Sequence, residues 1–141
     1  MAYSGVKIEG LEGLQDILGD LGPRAARNLN RSTIHAVAGI VRKEARKKAP
    51  KDEGTLKKAI KAKRRKPRHP DYPYSDVMVE HGRNAKNDAW YWRFVEYGTQ
   101  DLPARPFIQP AIDGIRYDIP AIYRKEFANK LAKMLAKKRK R

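Results

Sequence analysis

WYWRFVEYGTQDLPARPFIQP, from Trp90 to Pro110, holds both tryptophans and three of the nine prolines of the chain. Its first half predicts a helix. Trp90, Phe94 and Tyr97 fall at i, i+4 and i+7, so they share one face at about 3.6 residues per turn. Large aromatics at that spacing are expected to face a core. Arg93 and Glu96 lie off this face and are spaced to pair at i, i+3. Glu96 has two readings: a solvated polar position, or a carboxylate that clamps backbone amides of the segment after it. Gly98 is where the helix should stop, because a clean exit needs a residue that tolerates left-handed backbone. Pro103 and Pro106 fix φ and remove donors, so residues 99–105 cannot continue it. Phe107 and Ile108 restart an apolar run, and Pro110 suits the first turn of a following helix.

Outward from this segment, the chain of 141 residues predicts one domain with a single core. The expected domain covers residues 1–136, with a basic loop insert near 61–74 and a basic, disordered tail at 137–141. Val6 and Ile8 alternate with polar residues as a short strand, and Leu11, Leu14, Leu18 and Leu21 repeat at helical spacing. Arg24 to Lys48 is the longest helical pattern. Ala26, Leu29, Thr33, Val37, Ile40, Val41 and Ala45 form its stripe, and Arg31, Arg42 and Arg46 lie mostly away from it. Pro50 ends it. Thr55 to Lys66 reads either as a helical turn or, in its basic part, as a strand. KPRHPDYPY, from Lys66 to Tyr74, is a loop or hairpin tip, and Asp76 to His81 alternates as a strand. Ala111, Ile115, Ile119, Ile122, Phe127, Leu131 and Leu135 carry a C-terminal helix that Pro120 interrupts or kinks. The expected class is α+β, with a short antiparallel sheet packed against the long helix, the aromatic helix and the C-terminal helix.

Lys and Arg number 32 against 16 Asp and Glu, a formal charge of +16. Nucleic acid, an acidic protein ring and an anionic membrane surface are the partners such a charge suits. An apolar content of 40% excludes wholesale disorder, and the lack of cysteine excludes a disulfide scaffold and cysteine-ligated zinc. The N-terminus has no basic-then-apolar pattern, so no signal peptide is expected. No apolar run approaches the ~20 residues of a membrane span, so no membrane partner is expected.

No phosphate-binding glycine loop, zinc-protease motif or nucleophile elbow occurs, and no cofactor is expected. His69, Asp71 and His81 would make a metal site only if loop and strand brought them together. Glu80 and His81, with Arg83 nearby, have the residue types of a small ribonuclease. Lys57 and Lys58 open a basic run that continues through the insert (Lys61, Lys63, Arg64, Arg65, Lys66 and Arg68). This run and the cations of the tail (Lys137, Lys138 and Arg139) are either a solvated face or contacts for DNA or an acidic partner. Phosphate contact asks for Lys and Arg without base-reading geometry.

FVEYGT followed by PARPFIQPA resembles the gene-product-ten family of tailed bacteriophages, the HK-ninety-seven type. Two further pieces resemble it in the expected order: VKIEGLEGL from Val6, and Ala49-Pro50 followed by EGTLKKAI, where Gly54 and Thr55 stand in reversed order. The resemblance implies a non-enzymatic virion protein of the neck between head and tail, a functional cousin of the tail-completion protein Z of lambda. It would be assembled in the host cytoplasm, contacting neighbouring neck or tail proteins, in a homo-oligomeric ring, with non-specific DNA contact. Glu96, Gly98, Thr99, Pro103, Arg105, Pro106 and Phe107 are then the candidate protein interface. A basic nucleic-acid-binding protein and a toxin-like ribonuclease are the alternatives.

Overall fold

A computed structural model describes residues 19–51 and 54–140 of the chain. The expected strand at Val6 and most of the helix from Leu11 lie outside the described residues. Helix α1 (Pro23–Lys48) begins on Gly22-Pro23, where proline occupies the first turn and its missing N–H costs nothing. It ends at Ala49, which is extended because the following Pro50 disfavours helical backbone.

The buried face of α1 drifts along its length. Leu29 and Thr33 are buried in the first half, and Ala38 and Ala45 in the second, with Ala49 just past the end. Val37, Ile40 and Val41, expected in the stripe, are only partly covered. The second half lies close to other elements, and alanine lets backbones approach where a branched side chain would not. Thr33 satisfies its hydroxyl by donating to the Leu29 carbonyl at 2.8 Å.

A short helix α2 (Thr55–Ala59) runs directly into strand β1 (Ile60–Arg64), which pairs antiparallel with β2 (Ser75–Val79). Ile60 faces Val79, Ala62 faces Val77 and Arg64 faces Ser75. The basic insert is therefore a hairpin, with Lys61 to Arg64 inside the ladder and the proline-rich segment as its tip. Two α1 arginines hold the ends of β1. Arg31 Nη2 donates to the Arg65 carbonyl at 3.2 Å and Arg46 Nη2 to the Ile60 carbonyl at 2.9 Å. The expectation that Arg31 and Arg46 point away is corrected. An edge strand has carbonyls to satisfy, and long guanidinium side chains reach them from the helix beneath.

Helix α3 (Trp92–Tyr97) is shorter than expected, with Trp90 and Tyr91 in the turn before it. The C-terminal helical pattern is interrupted just before Pro120, giving helices α4 (Ile108–Ile115) and α5 (Ile119–Arg139). Pro120 lies in the first turn of α5 and starts a helix rather than kinking one. The helical backbone continues to Arg139, through most of the tail expected to be disordered. Tyr123 on α5 donates its hydroxyl to Asn30 Oδ1 on α1, and Leu131 is buried there.

The main core cluster gathers Ala45 and Ala49, Leu56 and Ala59, Ile60 and Val79, Ala89, Phe107 and Ala111, with Leu29, Ala38 and Leu131 buried outside it. Leu56, Ile60 and Phe107 are its large side chains, each worth about 1.5–3 kcal/mol on burial. The architecture is α+β, with the long helix across a two-stranded antiparallel sheet.

Candidate functional site

The aromatic helix is turned the other way from the expectation. Trp90, Phe94 and Tyr97 share a face, but they are 65%, 50% and 75% exposed. Tyr91, Trp92 and Val95 pack on the core instead. Periodicity tells which side chains travel together, not which side is inside. Two ties decide the side: Arg105 N donates to the Val95 carbonyl at 2.8 Å, and the Glu96 carboxylate reaches inward to backbone amides further along the chain. Arg93 does not pair with Glu96; its guanidinium stacks over the Trp92 ring at 5.5 Å.

Glu96 is 6% exposed and accepts three backbone hydrogen bonds. Phe107 N and Ile108 N donate to Oε2 at 2.8 and 3.1 Å, and Gln109 N donates to Oε1 at 3.0 Å. These are the cap and the first two helical residues of α4. A helix start leaves about four N–H groups without partners. The fourth here would belong to Pro110, which has none. One carboxylate and one proline thus account for the whole end, and the negative charge sits at the positive end of the helix dipole. Of the two readings of Glu96, the clamp is the one observed, and it acts on a helix start rather than on the loop itself.

The segment from Gly98 to Pro106 is closed at both ends by these ties. Inside it, Thr99 N donates to the Leu102 carbonyl at 2.9 Å and Leu102 N to Thr99 Oγ1 at 3.1 Å. Gly98 is obligatory for two reasons. Its φ is +74°, and a Cβ there would meet Ala104 N at 2.8 Å. The result is a short, exposed, hydrogen-bonded loop beside exposed aromatics.

Between them lies an apolar groove of about 440 Å³. Its walls are Pro50, Trp90, Tyr91, Phe94 and Val95 on one side and Thr99, Leu102, Pro103 and Arg105 on the other. Trp90 and Phe94 meet edge to face, with centroids 6.2 Å apart. Thr99, Pro103 and Arg105 thus fall in one place, with Gly98 and Glu96 setting the loop's shape. Phe107 is not a contact residue; it is fully buried in the core, because the helix it caps is tied inward by Glu96. Pro50, Trp90, Phe94 and Leu102 are site residues the sequence reading missed. The exposed spacing of Trp90 and Phe94 was visible there, but its side was not.

The expected cations do not form one patch. Lys63 Nζ lies 3.6 Å from Glu80 Oε1, and Arg65 Nε donates to Asp76 Oδ2 at 2.6 Å. Arg64 lies close enough to His35 to help lower its pKa. Lys66 and Arg68 are exposed on the hairpin tip, and Lys137 and Lys138 on α5, where Arg139 is the last helical residue. His69 and Asp71 come within 3.6 Å, but among the described residues no three His, Cys, Asp or Glu gather as a metal would require. Glu80 is turned to Lys63 while His81 is exposed, and no substrate-sized pocket is lined by both among those described.

The fold is thus a small α+β scaffold with an exposed, aromatic-lined groove between α3 and a hydrogen-bonded loop. The family described as "Bacteriophage HK97-gp10, putative tail-component" matches residues 12–98, more than half of the chain. The chain belongs to this HK97-gp10-like family. The match ends on Gly98, so it takes in the helical wall of the groove, while the loop wall and both C-terminal helices lie beyond it. No curated protein and no solved structure matches the chain. No described helix is long and apolar enough to cross a membrane.

Proposed function

We propose that this protein is a structural part of a tailed-phage virion that helps complete the junction of head and tail, without chemistry of its own. It works by protein contacts, with neighbouring neck or tail proteins and with further copies of itself in a ring, assembled in the host cytoplasm. The observation that carries this is the groove. Trp90, Phe94, Leu102 and Pro103 put apolar surface outside on a segment already ordered by internal hydrogen bonds. Aromatic anchors of this kind dominate interface energies, and a pre-ordered loop loses little entropy on binding.

The test is Phe94→Ser with Leu102→Ser in the phage that encodes the protein. Both side chains are exposed, so the melting temperature of the purified variant should stay within a degree or two of the parent. Electron micrographs should show separate heads and tails and infectivity should fall by orders of magnitude. Normal particles at normal titre would end the proposal.

A further inference from the structure

The groove leaves most of the charge unused. We infer that a second site, a lysine-lined cavity between α1, α2, β1 and the 82–88 loop, binds the phosphate backbone of nucleic acid. The inference does not rest on the protein contacts proposed above. Arg46, Lys47, Lys57, Lys58, Lys61 and Lys86 line an open cavity of about 640 Å³, with Asn87 between them. Four separate elements send cations into it. Its Arg46 Nε is buried without a partner.

The ordinary explanation is that cations collect at helix ends, where carbonyls are free. That covers Arg46 and Lys47 at the end of α1, and Lys57 and Lys58 at the end of α2. It does not cover Lys61 on the strand or Lys86 on the loop. Elsewhere among the described residues Lys63, Arg65 and Arg27 have carboxylates, from Glu80, Asp76 and Asp71, and the other cations have none; what sets this cavity apart is that its cations converge from four elements on one concavity. Here Lys47 alone has one, from Glu44, and among the described residues Lys57, Lys58, Lys61 and Lys86 have none. Like charges held together in a concavity repel unless an anion joins them.

Phosphate fits this lining better than an acidic protein does. Protein interfaces are built on apolar and aromatic anchors, and lysine is depleted from them. This cavity has no apolar wall residue, whereas the groove beside α3 has little else. Phosphate binding needs only cations and is not selective for sequence. Lys57, Lys58 and Lys61 belong to the basic run that the sequence singles out, whereas Arg46, Lys47 and Lys86 are brought to it by the fold.

The test uses the full chain and a fluorescent 20-base-pair duplex, with affinity read by anisotropy across a salt series. Lys57→Gln, Lys58→Gln and Lys86→Gln together should lower the slope of log K against log salt by about 2–3, at about 0.9 for each phosphate no longer neutralised. A charge-matched variant, Lys43→Gln, Lys125→Gln and Lys133→Gln, at exposed lysines outside the cavity and outside the basic insert and tail, should lower it by less than about 1. An equal fall in the two slopes would show that only net charge attracts DNA, and would overturn the site. So would failure of the parent to bind the duplex at low salt, or lysine-dependent binding of poly-glutamate without binding of the duplex. Should the triple variant melt early, Lys58→Gln and Lys86→Gln singly, both exposed, must each lower the slope, and no change in either would equally overturn it.

Discussion

Glu96 organises the functional end of the molecule because a single carboxylate answers three backbone donors at once. Glu96→Ala should destabilise the fold by about 3 kcal/mol, the scale of leaving buried donors unpaired. Glu96→Gln should recover only part of this, since its amide NH₂ faces donors and cannot accept from them. Hydrogen exchange is the sharper measurement: the amides of Phe107, Ile108 and Gln109 should lose protection in both variants. Unchanged protection would mean that α4 is capped some other way. Gly98 is the second decisive position. Gly98→Ala puts a methyl into Ala104 N in a left-handed backbone, so the loop has to move. A cost of about 1–3 kcal/mol is expected, with weaker protection at Thr99 and Arg105. A melting curve within a degree of the parent would contradict that geometry.

Helix α3 shows what the sequence could and could not settle. Its aromatic spacing and its glycine stop were legible, and so was the choice of Glu96 as clamp or solvated residue. The inward side was not legible, because it is set by partners far along the chain: amides after residue 106 and the Arg105 N–H. The contrast gives a direct test. Trp92→Ala should cost about 2–3 kcal/mol of stability and Trp90→Ala under about 0.5 kcal/mol. Equal costs in chemical denaturation would contradict the observed orientation. Helix α1 was legible nearly to the residue because Gly22-Pro23 and Ala49-Pro50 punctuate both ends. Its rotating buried face was not, since the hairpin that lies along it, from Arg27 to Arg46, was ambiguous at Thr55 to Lys66. The same ambiguity hid the arginine clamps on β1. Their acceptors, the Ile60 carbonyl at the start of β1 and the Arg65 carbonyl just past its end, take fixed positions only once that strand is placed.

The whole molecule carries +16, and folding brings those charges together, so the native state works against its own repulsion. Added sodium chloride should raise the melting temperature as screening sets in over a Debye length of about 10 Å at 0.1 M. His35 makes this repulsion pH-dependent. It lies where α1, the hairpin and α5 meet, with Ser75 Oγ at 3.4 Å from Nδ1. Burial first, and then Arg64, Arg42 and Lys130, hold its pKa below the ordinary value of 6.5. The unfolded chain therefore binds the proton more readily. Below pH 6.5 stability should fall as pH drops towards the folded pKa, and above pH 6.5 this contribution should be constant. His35→Asn should flatten the fall between pH 6.5 and the onset of carboxylate titration. Because burial is the larger cause, salt should reduce the slope without abolishing it; only the part due to the three cations is screened. Melting curves of parent and variant at two salt concentrations separate the two causes. A slope that vanishes at high salt would make His35 a reporter of net charge alone. A slope that survives in His35→Asn would place the titrating group elsewhere.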